Sequence, residues 1–217
     1  MARHTQRAAT VGVAEHGNSA VLMTVAPGGE LLDRRRIDLT DPSLPTHPHH
    51  HEGSWAVGRY LNTFGARALS LAEAVALVER VRASAASGAR EGLEALAAAV
   101  PVGIASIAIR ACPTLPPTTE ARIADNRAQT VADSVMYREA LATAAVARGW
   151  LVHWYDRERV FHDAAAALGR EDIGLFLAAM GRSIGPPWQA RHKLATVAAL
   201  AAARATRYRT GRTTGER

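Results

Sequence analysis

Residues Thr10 to Leu39 read TVGVAEHGNSAVLMTVAPGGELLDRRRIDL and predict three consecutive antiparallel strands. The short runs HGN and PGG supply the two tight turns, because glycine and asparagine tolerate positive φ. The predicted strands are Thr10–Glu15, Ser19–Val25 and Glu30–Leu39. The first two are apolar, and the second, apolar on both faces, is typical of a central strand. The third carries four successive charges, so we expect it at a sheet edge, where charge discourages aggregation.

Helix and strand signals alternate along the rest of the chain. Ser70 and Glu73 form an S-x-x-E capping box, which predicts a helix through Val81. We expect Gly88 to end this helix. A β-branched apolar run, Val102–Ile109, predicts a buried strand parallel to the first. The other predicted elements are the helices 54–64, 91–100, 128–147, 158–168 and 171–180, a strand over 150–155, and a last helix that Pro186 and Pro187 open and that reaches about residue 204.

Length and composition favour one soluble domain. The chain has 217 residues, enough for a sizeable core, and 48% hydrophobic residues, which argues against global disorder. We expect a disordered lead-in over 1–9, a single domain over 10–204 and a basic tail over 205–217. One cysteine excludes an intrachain disulfide and fits a reducing compartment. No signal peptide or membrane-length apolar run is present, so we expect a cytoplasmic protein without a membrane partner.

The charge balance suggests one class of partner. The formal net charge is +6, which favours nucleic acid or another polyanion. The alternative is a basic surface that takes no part in binding. The sequence leaves a homodimer open.

The predicted element order, three strands followed by helix-linked strands, resembles the ribonuclease H-like superfamily, and its RuvC-like branch most. The resemblance covers roughly residues 10–204 and rests on element order. It implies an α/β fold with a mixed sheet, in which three antiparallel strands precede helix-linked parallel strands. Actin-like and sugar-kinase ATPases begin in a similar way but normally duplicate the domain, for which this chain is short. Walker A, GxSxG and HExxH motifs do not occur.

The resemblance also implies a chemistry. Nucleases of this superfamily hold two metal ions, here Mg²⁺ or Mn²⁺, on carboxylates from the end of the first strand, the end of the fourth strand and the last helix. Glu15 matches the first position and is the candidate catalytic metal ligand. Arg110 stands at the fourth-strand position, and the last helix offers Arg191, His192 and Lys193, which are cations where acids are expected. We therefore predict a Glu15–Arg110 salt bridge, which would reduce the value of Glu15 as a metal ligand.

Three further features are candidates for the site. In the tract HPHHHE, His49 and His51 would face one way in an extended segment and could bind a metal, although a solvated loop with adventitious metal is the alternative. On the long helix, Asp133 is a candidate second catalytic acid and Arg138 can reach the cleft. Glu139 is expected on the buried stripe, paired with an arginine.

The start of the last helix is the remaining candidate. Cations in the first turns oppose the positive end of the helix dipole, so a carboxylate such as Glu15 or Asp133, or a bound phosphate, should compensate them. We assign phosphate binding to Arg110, Arg138 and Arg191, with His192 and Lys193 as catalytic candidates.

Three functions follow from these residues. The first is metal-assisted phosphodiester hydrolysis of nucleic acid, with Glu15 as metal ligand and Asp133 or a loop histidine as the second. The second is a catalytically degenerate binding or assembly module of the same fold. The third is an interaction protein with no role in nucleic-acid binding. The number of acids that converge on the cleft separates the first from the second.

Overall fold

The structure is a computed structural model that describes residues 8–52 and 69–212, without the side chains of 51–52 and 205–212. The strands are β1 Ala9–His16, β2 Ser19–Val25, β3 Leu31–Asp38, β4 Ile104–Arg110 and β5 Leu151–Tyr155. The helices are α1 Leu71–Ala99, α2 Thr119–Ala124, α3 Asn126–Ala147, α4 Val160–Leu168, α5 Ile173–Ile184 and α6 Ala190–Arg212, with a short π-helix over Pro48–Glu52. The helix predicted over 54–64 lies outside the described residues.

The strands form one mixed sheet in the order β3-β2-β1-β4-β5. β1 and β3 pair antiparallel with β2, while β4 pairs parallel with β1, and β5 parallel with β4. This is the ribonuclease H-like arrangement, and it confirms the predicted α/β fold class. β2 is buried along its whole length, as predicted for an interior strand, and the charged β3 lies at the edge.

Helices cover both faces of the sheet, and the alternation of side chains along β1 assigns its residues to the two layers. Val11 and Val13 face the core made with α1 and α3. Ala14 faces the other layer, where it packs against Ala195 of α6. No helix in the described residues is long and apolar enough to cross a membrane.

Gly12 allows α6 to cross β1 at close range. A Cβ atom at this position would lie 1.8 Å from the carbonyl oxygen of Ala195 and 2.7 Å from the amide nitrogen of Ala199. Both neighbours are backbone atoms of a helix and cannot move aside separately. The small residue in the centre of the first strand therefore sets the distance between sheet and helix.

Gly88 does not end a helix, contrary to the prediction. α1 runs without interruption from Leu71 to Ala99, capped at Ser70 by the predicted capping box. Gly88 lies where the backbone after β3 crosses the helix, and a Cβ there would be 2.4 Å from the carbonyl oxygen of Leu39. The glycine is required by this close approach. Its helix-breaking tendency costs about 1 kcal/mol and is outweighed by the packing of the long helix.

Pro186 and Pro187 do not open the last helix, which begins at Ala190. They lie in the loop before it, where Arg34 of β3 holds three successive carbonyl oxygens. The guanidinium donates to Gly185 at 2.9 Å, to Pro187 at 2.8 Å and to Pro186 at 3.3 Å. A proline-rich loop offers few N–H donors but keeps its carbonyl acceptors, so an arginine satisfies it well.

We predict that Gly12→Ala destabilises the fold by about 3 kcal/mol or more, because overpacking against helix backbone forces β1 and α6 apart. Urea denaturation followed by circular dichroism measures this loss. Gly28→Ala is the matched control, since nothing lies within 4 Å of a Cβ at that exposed turn position. Equal stability of the two variants would contradict the close-approach explanation.

Candidate functional site

The carboxyl ends of β1 and β4 separate and leave a crevice between them. Their pairing ends at Gly12 and Ala108, so the next carbonyl of β1, that of Val13, needs another donor. The hydroxyl of Tyr155, the last residue of β5, donates to it at 2.9 Å. Burial raises the pKa of Tyr155, and the nearby Glu15 carboxylate raises it further, so the hydroxyl remains a donor.

Arg138 of α3 fills this crevice and joins the two strand ends. Its Nε donates to Glu15 Oε1 at 2.6 Å, and its Nη1 donates to the carbonyl oxygen of Ala111 at 3.1 Å. The Arg138 and Glu15 side chains are only 5% and 7% exposed. The predicted Glu15–Arg110 salt bridge is therefore wrong. Glu15 is on the same face of β1 as Val13, which α3 covers, so the helix supplies the partner.

Asp133, the predicted second acid, is also engaged inside the protein. Its Oδ1 accepts from the backbone N–H of His49 at 3.0 Å and lies 2.8 Å from His49 Nδ1, while its Oδ2 accepts from the backbone N–H of His50 at 3.3 Å. One turn along α3, the Tyr137 hydroxyl donates to the carbonyl of Thr46 at 2.8 Å. Asp133 and Tyr137 thus fasten the histidine segment onto α3.

The histidine tract is not an extended solvated loop, as either interpretation of the sequence assumed. It forms the π-helix Pro48–Glu52, and His49 is completely buried. The His47 side chain is partly exposed, with its Nδ1 3.8 Å from Asp133 Oδ2. His51, the other predicted metal ligand, has its side chain outside the described part of the chain. The histidine content of the tract did not indicate that Asp133, a buried carboxylate of α3, would bond this segment.

The donor set does not fit two metal ions. Such a centre needs several carboxylates to offset the repulsion between the cations. Glu15 is held by Arg138, and the fourth-strand position carries Arg110. Among residues 8–50 and 69–204, whose side chains the structure describes, no group of three His, Cys, Asp or Glu side chains converges. The internal segment 53–68 contains none of these residue types. We therefore derive no chemical step through a metal.

Cations outnumber acids at the crevice. The charges that act on the Tyr155 hydroxyl are those of Glu15 and three arginines, Arg110, Arg138 and Arg157. Arg110 is half-buried at the end of β4 and forms no ion pair with any described residue. Arg138 satisfies Glu15, so a positive charge remains for a ligand. Glu139 adds no buried acid, because it is exposed, contrary to the prediction.

The start of α6 is stabilised by a neutral side chain. His192 is buried, and its Nδ1 accepts from the backbone N–H of Gln189 at 3.1 Å, while the Gln189 carbonyl accepts from the backbone N–H of Lys193. Glu or Gln normally provides this reciprocal bond in a capping box. Burial and the charge of Arg34 lower the pKa of His192, which keeps the imidazole neutral.

The predicted carboxylate partners for this helix start are wrong, since Glu15 and Asp133 bond elsewhere. Arg191 and Lys193 are exposed at the first turn of α6. They lie beyond Ala195, which packs on Ala14 near the carboxyl end of β1. His192 therefore caps the helix, whereas its neighbours Arg191 and Lys193 have exposed side chains.

Tyr155 and Arg34 were missed as residues that shape this region. The signal for Tyr155 was its position at the end of the predicted strand over 150–155, one of the helix-linked parallel strands that the resemblance implies, where polar side chains meet those of neighbouring strand ends. Arg34 was taken as an edge charge, and only the tertiary contact with the loop before α6 shows its role.

No family model and no curated relative matches the sequence. Among solved structures, the chain is similar to T. thermophilus RuvC in complex with a Holliday junction substrate, at 15% identity and a TM-score of 0.49, over 93% of this chain and 96% of that chain. It is also similar to a second Thermus thermophilus RuvC structure, at 15% identity and a TM-score of 0.47, over 93% of this chain and 97% of that one. The assignment of the fold rests on the strand order described above.

We predict that Arg138→Met destabilises the protein by about 3 kcal/mol or more, because it leaves the Glu15 carboxylate buried without a partner. Glu15→Gln should also destabilise it, and the double variant should lose less than the sum of the two. Urea denaturation of all four proteins measures the coupling. Arg36→Met is the control, since the Arg36–Asp38 pair is exposed on both sides. Additive losses at Glu15 and Arg138 would refute the coupling.

We also predict a stability component that depends on His192. Because folding lowers the pKa of His192, this component is complete above the unfolded value of about 6.5 and is lost as the pH falls, when the unfolded imidazole takes up a proton first. His192→Gln keeps an acceptor for the Gln189 N–H but does not titrate. Urea denaturation at pH 7.5 and pH 5.5, both on the order of one unit from that value, should show a larger loss in the parent than in the variant. Equal losses would exclude this role.

Proposed function

We propose that this chain is a ribonuclease H-like module that binds nucleic acid through the phosphate backbone and does not hydrolyse it by a two-metal mechanism. The observation that carries the proposal is the Arg138 guanidinium, which lies in the crevice between β1 and β4 and bonds Glu15 and Ala111. The resemblance implies carboxylates that bind metal ions at this crevice. The structure instead has a fixed positive charge there, the Arg138 guanidinium.

The free charge at the crevice supports phosphate binding. Arg110 has no ionic partner among the described residues, and Arg157 is exposed nearby on the turn after β5. A guanidinium keeps its charge at all physiological pH values and donates two parallel hydrogen bonds to a phosphate. The net charge of +6 adds a long-range attraction for polyanions. The exposed Arg191 and Lys193 at the start of α6 extend the proposed surface, and the buried Arg138 joins the strand ends without being part of that surface.

Metal-dependent hydrolysis is the second candidate, because two buried carboxylates lie at α3: Asp133 belongs to the helix, and Glu15 of β1 bonds Arg138 of the helix. With Mg²⁺ or Mn²⁺, Glu15 would be a ligand only after Arg138 withdrew, and Asp133 only after it released the segment around His49. Each withdrawal leaves a charge buried without its partner, which costs about 3–5 kcal/mol. If the chain is a nuclease of the RuvC-like branch, branched DNA is a further substrate to test.

The test is a binding and cleavage screen over branched, duplex and single-stranded DNA and RNA, with Mg²⁺ or Mn²⁺, at several salt concentrations. We expect binding without cleavage and an affinity that falls linearly with log salt. Arg110→Ala should weaken binding and reduce the salt slope by about 1, the value for one lost phosphate contact. Arg90→Ala, which removes an exposed arginine of α1, is the control and should change neither.

Two outcomes would overturn the proposal. Cleavage by the parent protein that is lost in Glu15→Gln would establish the metal-dependent nuclease. Failure to bind any of these nucleic acids, at low as well as high salt, would favour an interaction protein without a nucleic-acid partner.

A further inference from the structure

Four hydrogen bonds join the ends of β1, β4 and β5 into a closed ring. Arg138 donates from Nε to Glu15 Oε1 at 2.6 Å and from Nη1 to the Ala111 carbonyl at 3.1 Å. The backbone N–H of Ala111 donates to the Tyr155 carbonyl at 2.9 Å. The Tyr155 hydroxyl then donates to the carbonyl of Val13 on β1, at 2.9 Å. The ring therefore begins and ends on β1 and encloses the end of β4, which lies between β1 and β5.

The side chains that close the ring are buried. The Arg138 and Glu15 side chains are almost fully enclosed, and Tyr155 is 7% exposed. Opening a hydrogen bond between buried groups leaves a polar atom without a partner and without water. The bonds therefore keep the three strand ends in one arrangement.

Arg110 stands at the end of β4, immediately before the residue that the ring bonds. The pairing of β4 with β1 stops at Ala108, so Arg110 has a strand partner only on the β5 side, where it lies opposite Tyr155. A strand end held on one side frays readily. The ring supplies the missing support, because both backbone groups of Ala111 are bonded, the N–H to Tyr155 and the carbonyl to Arg138.

We propose that Arg138 and Tyr155 are positioning residues, which fix the backbone at Arg110 so that its guanidinium meets a phosphate group of nucleic acid in one orientation. This inference rests on the proposed function, in which Arg110 binds the phosphate backbone. Binding costs less entropy when the group that makes the contact is already held in place. Arg138 and Tyr155 are buried and act only through Arg110.

The shape of the guanidinium explains why an arginine closes the ring at position 138. Its Nε and Nη2 atoms face Glu15, whereas Nη1 donates to the Ala111 carbonyl. A lysine keeps the positive charge beside Glu15, but its single nitrogen atom cannot replace three nitrogen atoms that serve two partners. Arg138→Lys therefore opens the ring at Ala111 without a change in net charge.

Tyr155→Phe opens the ring at a second point, the bond to Val13, and also conserves the net charge. Because neither variant alters the charge, the long-range attraction for a polyanion stays the same. A loss of affinity then reports the orientation of Arg110. Tyr137→Phe is the matched control, since Tyr137 is buried and its hydroxyl donates to a backbone carbonyl outside the ring, that of Thr46.

The first test is the affinity of the full chain and its variants for a labelled duplex DNA and a labelled single-stranded RNA, measured by fluorescence anisotropy. We expect Arg138→Lys and Tyr155→Phe each to raise the dissociation constant about threefold to tenfold, the effect of a residue coupled to a contact residue. Tyr137→Phe should leave the constant unchanged. Circular dichroism at the temperature of the binding measurement establishes that each variant is folded.

A double-mutant cycle separates positioning from a general loss of structure. In an Arg110→Ala background, Arg138→Lys and Tyr155→Phe should have no further effect on affinity, because the side chain that they position is absent. In an Arg90→Ala background, which removes an exposed arginine of α1, both should keep their full effect. A variant that only loosened the protein would weaken binding equally in both backgrounds.

Hydrogen exchange of the Ala111 amide reads the ring without any ligand. Arg138→Lys and Tyr155→Phe should both speed this exchange, and Tyr137→Phe should not. Unchanged exchange in the first two variants overturns the inference, as does an affinity loss that is equal with and without the Arg110 side chain. If the parent binds neither probe, or if Arg110→Ala binds as tightly as the parent, the proposed function itself is contradicted and the positioning role falls with it.

Discussion

The bond between Arg138 and Glu15 is the interaction on which the functional region depends. A buried guanidinium and a buried carboxylate are each costly, and together they are tolerated only with close geometry and further hydrogen bonds. Arg138 has both, because its second nitrogen donates to Ala111 beyond β4. The side chain thereby joins α3 to the ends of two parallel strands that have stopped pairing with each other. Tyr155 completes the closure by satisfying Val13.

This arrangement changes what the fold can do without changing the fold. The frame is set by the apolar faces of β1 and β2, by the close crossing of α6 at Gly12 and by the long capped helix α1. The strand ends are free to vary, which is why one fold supports different chemistries. Here the acidic positions implied by the resemblance hold Arg110 at β4 and cations on α6, and Glu15 is neutralised from within. The charge that remains at the crevice is positive and suits a phosphate ligand better than a metal ion.

Asp133 is the second carboxylate at α3 whose hydrogen bonds are satisfied inside the protein, in this case by the histidine segment. Asp133 accepts two backbone N–H groups and the His49 side chain, and Tyr137 holds Thr46 one turn later. Both carboxylates considered as catalytic acids are therefore structural ties between α3 and neighbouring segments. The start of α6 is a third case, because the neutral His192 caps the helix where a carboxylate or a bound phosphate was expected.

The sequence by itself determined the order of the strands along the chain and the two hairpins that join the first three, because turn residues and alternating apolar patterns act over a few neighbouring positions. It also determined which charged strand lies at an edge, and the capping box at Ser70. Tertiary structure decided which charge meets which, and why certain glycines and prolines are present. Gly88 is needed for the approach of Leu39, Pro186 and Pro187 present carbonyls to Arg34, and Glu15 pairs with Arg138 instead of Arg110. Local sequence cannot specify such pairings, since they depend on which helix packs over a given strand end. The sequence therefore placed Glu15 at the end of β1, and only the packing of α3 decided that this carboxylate would be closed by an arginine.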